Sequence, residues 1–204
     1  MDTPATAIIM APRPGTGGAI DHFLQGAAHL VQRCAEAGMP VVVAAPAPLL
    51  QSWAPAQVPD RLNLAPIAPC PVDELAAATI RAGVQMSAKS SGWMFIPADM
   101  VMLQLSTLHS LCAGMRDHLI VHATHNDQPR LPMGFGQELF SELIRLDSNR
   151  ALLRMLNRYP THAVEVDDPG VRMHQWLTPT SPDAFMPPLG AASAPLRPPP
   201  GKRT

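Results

Sequence analysis

The residues with the most pointed chemistry lie in Gly92-Trp93-Met94-Phe95-Ile96-Pro97-Ala98-Asp99-Met100, an apolar run that stops at a carboxylate. At the carboxyl end of a buried strand, Asp99 offers the hard oxygen ligands that Mg²⁺ takes while it bridges phosphate oxygens. The same aspartate stands ahead of a helical stretch, so a helix N-cap is its alternative role. A second segment, Pro12-Arg13-Pro14-Gly15-Thr16-Gly17-Gly18-Ala19, follows the short apolar run Ala7-Ile8-Ile9-Met10-Ala11. Its glycines let backbone N–H groups close on a phosphate, and a helix starting just after adds partial positive charge. A turn with no ligand is the plain alternative. No Gly-Lys-Ser/Thr follows, and GxGxxG is absent, so neither a Walker loop nor a dinucleotide fingerprint is present.

Other groups carry less. His122, His125 and Asp127 form a His-x-x-His-x-Asp cluster, but on a continuous strand the two histidines face opposite sides, which disfavours shared metal ligation. There is no GxSxG elbow, and no cysteine stands in a nucleophile motif. Asp167-Asp168-Pro169-Gly170 reads as a turn, and Asp147 with Arg150 as the start and cap of a helix.

These groups need a scaffold, and the patterning predicts one. Residues 7–11, 40–45, 91–97, 119–122 and 162–166 read as short buried strands. Helical spacing marks 21–38 (with Asp21 as N-cap and Gly38 as C-cap), 72–86, about 104–115, 136–145 and 149–158. Strand and helix alternate, which predicts an α/β fold: a three-layer, Rossmann-like arrangement with a mostly parallel central sheet and right-handed crossovers. In such a sheet, ligands bind beyond the carboxyl ends of the strands, where both the glycine loop and Asp99 fall.

Composition bounds the rest. The chain has 204 residues, 47% of them apolar, enough for one domain with a sizeable core. No uninterrupted apolar run of about 18 residues occurs, so no membrane span is expected. Met1-Asp2-Thr3-Pro4 has no basic region ahead of an apolar stretch, so no signal peptide is expected either. A net charge of −1 gives no general attraction for nucleic acid or an anionic membrane. The three cysteines, Cys34, Cys70 and Cys112, form no CxxC pair. They suit small buried hydrophobes in a reducing cytosol, hence a cytoplasmic location. Prolines, 24 in all, crowd 47–71 and 179–200. Residues 1–186 form the expected domain, and 187–204 read as a Pro-rich flexible tail.

An ordered set of segments resembles the molybdenum-cofactor cytidylyl- and guanylyltransferase family over about residues 5–183. "GWMFIPADM" resembles its Leu-Pro-x-Asp-Met-Pro motif, and "AIIMA" with the glycines that follow resembles its nucleotide loop. "TIRAGV" (79–84) is similar to its Ser-Leu-x-x-Gly segment, and "LPMGF" (131–135) to its Gly-His-Pro-x-x-Phe acceptor loop. "VEVDDPGV" (164–171) resembles its closing strand and turn.

The resemblance implies transfer of a nucleotide monophosphate from CTP or GTP to a phosphorylated acceptor such as molybdopterin, with loss of pyrophosphate. It implies Mg²⁺ on Asp99. Ala11, Gly15 and Gly17 would then line the triphosphate, Thr79 with Ala77 and Ala78 would approach the base, and Pro132 and Phe135 would lie on the acceptor side. Partners implied are the nucleotide, molybdopterin and a molybdoenzyme.

The sequence departs from the family at charged positions. The loop arginine is replaced near Gly17, the following lysine has His22 in its stead, and the acceptor-loop histidine is Leu131. Leu177 stands before Thr178-Pro179, where the second metal aspartate precedes Thr-Pro. Arg13 and His174 are the candidates to compensate. A protein that keeps the fold and binds a nucleotide, a pterin or a partner enzyme without turnover is therefore the alternative, and a transferase acting on a sugar phosphate is a third.

Overall fold

A computed structural model of the chain describes residues 4–11, 19–53, 59–71 and 74–173, with backbone alone for 19–22 and 173. Seven strands form one sheet: β1 (Thr6–Met10), β2 (Val41–Pro46), β3 (Leu62–Ile67), β4 (Gly92–Pro97), β5 (Ile120–His125), β6 (Gln128–Gly136) and β7 (His162–Glu165). Their order is β3-β2-β1-β4-β6-β5-β7. All neighbours run parallel except β6, which is antiparallel to β4 on one side and β5 on the other. The fold is α/β and Rossmann-like, as the alternating pattern predicts.

The central strands β1, β2 and β4 are nearly continuous buried runs because both faces of the sheet are covered there. Ile8, Ile9, Val42, Val43, Met94 and Ile96 lose all or almost all contact with solvent. Helix α1 (Ala19–Glu36) touches α2 (Ala47–Ser52) and α4 (Leu105–Gly114), while α3 (Leu75–Met86) touches α5 (Phe140–Leu143) and α6 (Asn149–Arg158). Two helical layers thus flank the sheet. A last short helix, α7 (Pro169–Met173), packs against β5 and β6.

Several boundaries differ from the sequence expectation. Helix α1 begins at Ala19, so Asp21 lies inside its first turn rather than at its N-cap. Its other end closes as expected: Gly38 has φ 74, with Gly38 N–H donating to Ala35 O and Met39 N–H to Cys34 O, a Schellman motif. At α6 the cap is Ser148, whose Oγ accepts from Ala151 N–H at 3.2 Å; Asp147 accepts from the Ser148 hydroxyl and steadies it. The stretch 136–145 divides into a 3₁₀ turn (Gln137–Leu139) followed by α5.

Two strands were not anticipated. Strand β3 holds Pro66 yet pairs with β2 through Ala45↔Pro66, which is tolerated because β3 lies at the sheet edge. Strand β6 contains the segment expected to be an exposed acceptor loop. It folds back from β5 through Asn126 (φ 52) and Asp127 (φ 59), the two positive-φ positions of a type I′ hairpin turn. Asp127 is therefore a turn residue. The expected tail, 187–204, lies outside the described residues.

Candidate active site

Strand β1 stands between β2 and β4, so the chain leaves it toward one side and returns on the other. The connections after β1 and β4 diverge there, leaving the crevice in which such sheets bind ligands. Ala11 follows β1 at this crevice, buried, with its N–H donating to Ala44 O at 3.2 Å. The side chain of His22 and all of Arg13, Gly15, Gly17 and His174 lie outside what is described, as do Leu177, Thr178 and Pro179.

Asp99 follows β4 by two residues, exposed between buried Ala98 and Met100. Helix α4 starts only at Leu105, with Gln104 at its N-cap. The capping role left open by the sequence is thereby removed, because five residues lie between the carboxylate and the first helical one. The Asp99 turn is braced from below. Ala98 N–H donates to Met10 O, tying it to β1, and Met100 N–H donates to Pro97 O. Helix α1 crosses so near that a Cβ on Gly26 would overlap the Ala98 carbonyl oxygen. A rigid floor thus presents one exposed carboxylate.

A second carboxylate emerges from the fold. Strand β7 ends at Glu165, and Val166 N–H continues the pairing by donating to Thr124 O at 2.9 Å. Asp167 follows, exposed, at the same carboxyl edge of the sheet as Asp99. Its neighbour Asp168 is 1% exposed. Asp168 Oδ2 accepts from Gln104 N–H at 2.9 Å and from the Thr107 hydroxyl at 2.5 Å; Oδ1 accepts from Gly170 N–H at 2.7 Å. The turn expected at 167–170 is present, but it also joins the loop that carries Asp99. The Asp-x-Pro order at Asp167-Asp168-Pro169 was the available signal; reading Thr178-Pro179 as the counterpart of the family's Thr-Pro hid it.

Thr79 lies in α3, buried, with its hydroxyl donating to Leu75 O at 2.7 Å. Its oxygen is turned into its own helix, so the hydroxyl is not presented to a ligand. Ala77 N–H, near the helix start, donates to Asn149 Oδ1 at 3.2 Å and so links α3 to α6. Pro132 and Phe135 belong to strand β6, not to a loop, and both are buried. Phe135 pairs with Trp93 and Ile120 and meets Phe95 edge-on at 5.2 Å. It is a floor residue.

His122 and His125 both lie in β5, three residues apart, so they face opposite sides. His125 Nδ1 sits 3.2 Å from Val166 O. His122 is buried with Nδ1 unpartnered, and burial, then the His162 imidazole, lowers its pKa to about 4. Among the described residues no three His, Cys, Asp or Glu side chains gather where they could hold a metal ion. Mg²⁺ keeps several waters and takes its remaining ligands from substrate phosphates, so few protein carboxylates suffice to hold it.

A family model for the MobA-like NTP transferase domain matches residues 25–164. No curated protein is a match. Among solved structures, Rv0371c of Mycobacterium tuberculosis H37Rv, in complex with manganese, is 17% identical, with a TM-score of 0.61 over 81% of this chain and 89% of that one. The 4-diphosphocytidyl-2C-methyl-D-erythritol synthase of Anaerococcus prevotii is 8% identical, with a TM-score of 0.57 over 81% and 90%. The CMP:2-keto-3-deoxy-manno-octonic acid synthetase complexed with CTP is 13% identical, with a TM-score of 0.54 over 80% and 90%. At such identities the likeness is one of fold.

Proposed function

We propose that this chain, which belongs to the MobA-like NTP transferase domain family, moves a nucleotide monophosphate from CTP or GTP to a phosphorylated acceptor such as molybdopterin. An acceptor phosphate oxygen attacks the α-phosphorus, the bond from that phosphorus to the bridging oxygen breaks, and pyrophosphate leaves. The observation that carries the reading is Asp99: exposed, braced by β1 and α1, at the switch point of the sheet, and not used as a helix cap.

Positioning and charge neutralisation are the two demands of phosphoryl-group transfer. Asp99 is the metal ligand, with Asp167 as its partner. A bound Mg²⁺ would neutralise the developing charge on the phosphate oxygens. By the resemblance, Ala11, Gly15 and Gly17 would line the triphosphate, and Arg13 and His22 are the groups of that segment able to carry positive charge. The first turns of α3, at Ala77, Ala78 and Thr79, would lie on the base side, as the resemblance implies. Pro132 and Phe135 support the acceptor side from beneath. A cytoplasmic setting suits reduced thiols such as Cys34, whose pKa is pushed up to about 12, first by burial and then by neighbouring Cys112. Molybdopterin and a molybdoenzyme are the partners that follow from this reading.

The second reading is a protein that keeps the fold and binds a nucleotide, a pterin or a partner enzyme without turnover. It is favoured by Gly17, His22 and Leu131, uncharged or weakly basic where the family pattern places arginine, lysine and histidine. Calorimetry of CTP and GTP with and without Mg²⁺, followed by a pyrophosphate-release assay with molybdopterin, separates the two. Binding with release supports the transferase, and binding without release supports the second reading. Failure of both nucleotides to bind overturns the enzyme. Release with a sugar phosphate instead of molybdopterin would reassign the acceptor.

A further inference from the structure

Asp168 does more than end a turn. Its carboxylate is almost wholly withdrawn from solvent and accepts three hydrogen bonds, two at Oδ2 and one at Oδ1, so protein donors rather than a ligand occupy most of its acceptor sites. The three donors come from two separate parts of the chain. Gly170 N–H belongs to its own helix, α7, while Gln104 N–H and the Thr107 hydroxyl belong to the start of α4. Helix α4 has no capping side chain of its own. Asp168 therefore supplies from a distance the negative charge that a helix N-terminus favours. One carboxylate caps two helices.

The consequence lies in what each helix start carries. The chain reaches α4 through 99–104, the loop of Asp99, and reaches α7 through Asp167. The two loops are pressed together at a second point. A Cβ on Gly170 would fall 2.7 Å from Leu103 Cα and 2.7 Å from the Met102 carbonyl carbon, so only glycine permits the approach. On the far side, Val166 is fastened to β5 by its N–H to Thr124 O and its carbonyl to His125 Nδ1. Asp167 thus stands between two anchors, Val166 on the sheet and Asp168 on the α4 start.

We propose that Asp168 is a positioning residue: by clasping the starts of α4 and α7, it holds Asp99 and Asp167 at the spacing a divalent cation requires. The inference rests on the reading that these two carboxylates bind the metal. It gives a division of labour to adjacent aspartates, the exposed one to the ion and the buried one to the frame. Outer-shell partners of this kind typically alter metal affinity by ~10–100-fold when removed.

The test uses the full chain and Mn²⁺ alone, with the free ion counted by electron paramagnetic resonance at 25 °C and Tm recorded beside it. Asp168→Asn keeps the shape but turns an amide toward the donors. Thr107→Val removes one donor and keeps the volume, and it carries the test if Asp168→Asn fails to fold. Thr107→Ser restores that donor. Gly38→Ala, at the far end of α1, lowers Tm without touching either loop. The expected result is Mn²⁺ affinity weakened ~10-fold or more in Asp168→Asn and Thr107→Val, regained in Thr107→Ser and unchanged in Gly38→Ala. Variants that lose Tm yet bind Mn²⁺ within about twofold of wild type would show a purely structural clasp and overturn the inference. If the wild-type chain itself binds no Mn²⁺, the metal reading of Asp99 and Asp167 fails, and the inference with it.

Discussion

Asp99→Asn keeps the turn and removes the charge. Losing one charge-assisted contact of about 1.5–3 kcal/mol is expected to weaken Mg²⁺-dependent nucleotide binding by ~10–100-fold, while Tm stays close to wild type because the side chain is exposed. Calorimetry with Mg·CTP and Mg·GTP, beside a melting curve, reads both effects. His122 behaves in the opposite way. Its pKa is depressed in the folded chain to about 4, by burial first and His162 second, whereas the unfolded chain protonates near the ordinary 6.5. Below that ordinary value the unfolded state binds the extra proton, so stability declines from about pH 6.5 toward pH 4, by up to roughly 3 kcal/mol. His122→Leu removes both this slope and the orphaned Nδ1. It is expected to melt at a higher temperature than wild type at pH 5, with a narrower gap at pH 8. An unchanged pH profile would contradict that account.

Elements explain which parts of the site were legible in the chain. The strand ending at Asp99 announced itself because six buried residues in a row, Gly92 to Pro97, have no polar interruption. Strand β6 did not, because Pro129 and Pro132 argue against a strand and Gly134 and Gly136 argue for a loop. Its pairing is decided by partners distant in sequence, Trp93 and Ile120 among them. Asp168 was invisible for a related reason. Its three donors include two more than 60 residues away, and local pattern registers only the turn. At α1, the contact between Gly26 and Ala98 is likewise a matter of packing. Gly26→Ala should shift the helix or the Asp99 turn, destabilising the chain by about 1–3 kcal/mol, and denaturant unfolding measures it.

For the molecule as a whole, ligand binding and stability are one linked quantity. A nucleotide with Mg²⁺ held at 100 times its Kd adds about 2.7 kcal/mol to the folded state. For a chain of this length that corresponds to a rise in Tm of ~5–10 °C. The rise should appear with the preferred nucleotide, diminish with the other, and vanish in Asp99→Asn. Equal shifts with and without Mg²⁺ would remove the metal from the account. No helix among the described residues is long and apolar enough to cross a membrane.

Strand β6 has a last implication, which concerns time. Strand β5 leaves the ribosome before β6, yet its only neighbours in the sheet are β6 and β7, and β7 follows both. The half of the sheet that ends in Asp167 therefore has no edge to dock on until β6 has inserted beside β4. Competence to bind a cation should then be among the last properties acquired during refolding, arriving with the β4–β6 ladder. Amide protons of Trp93 and Phe95, which face β6, and the recovery of Mn²⁺ binding are expected to share one rate constant.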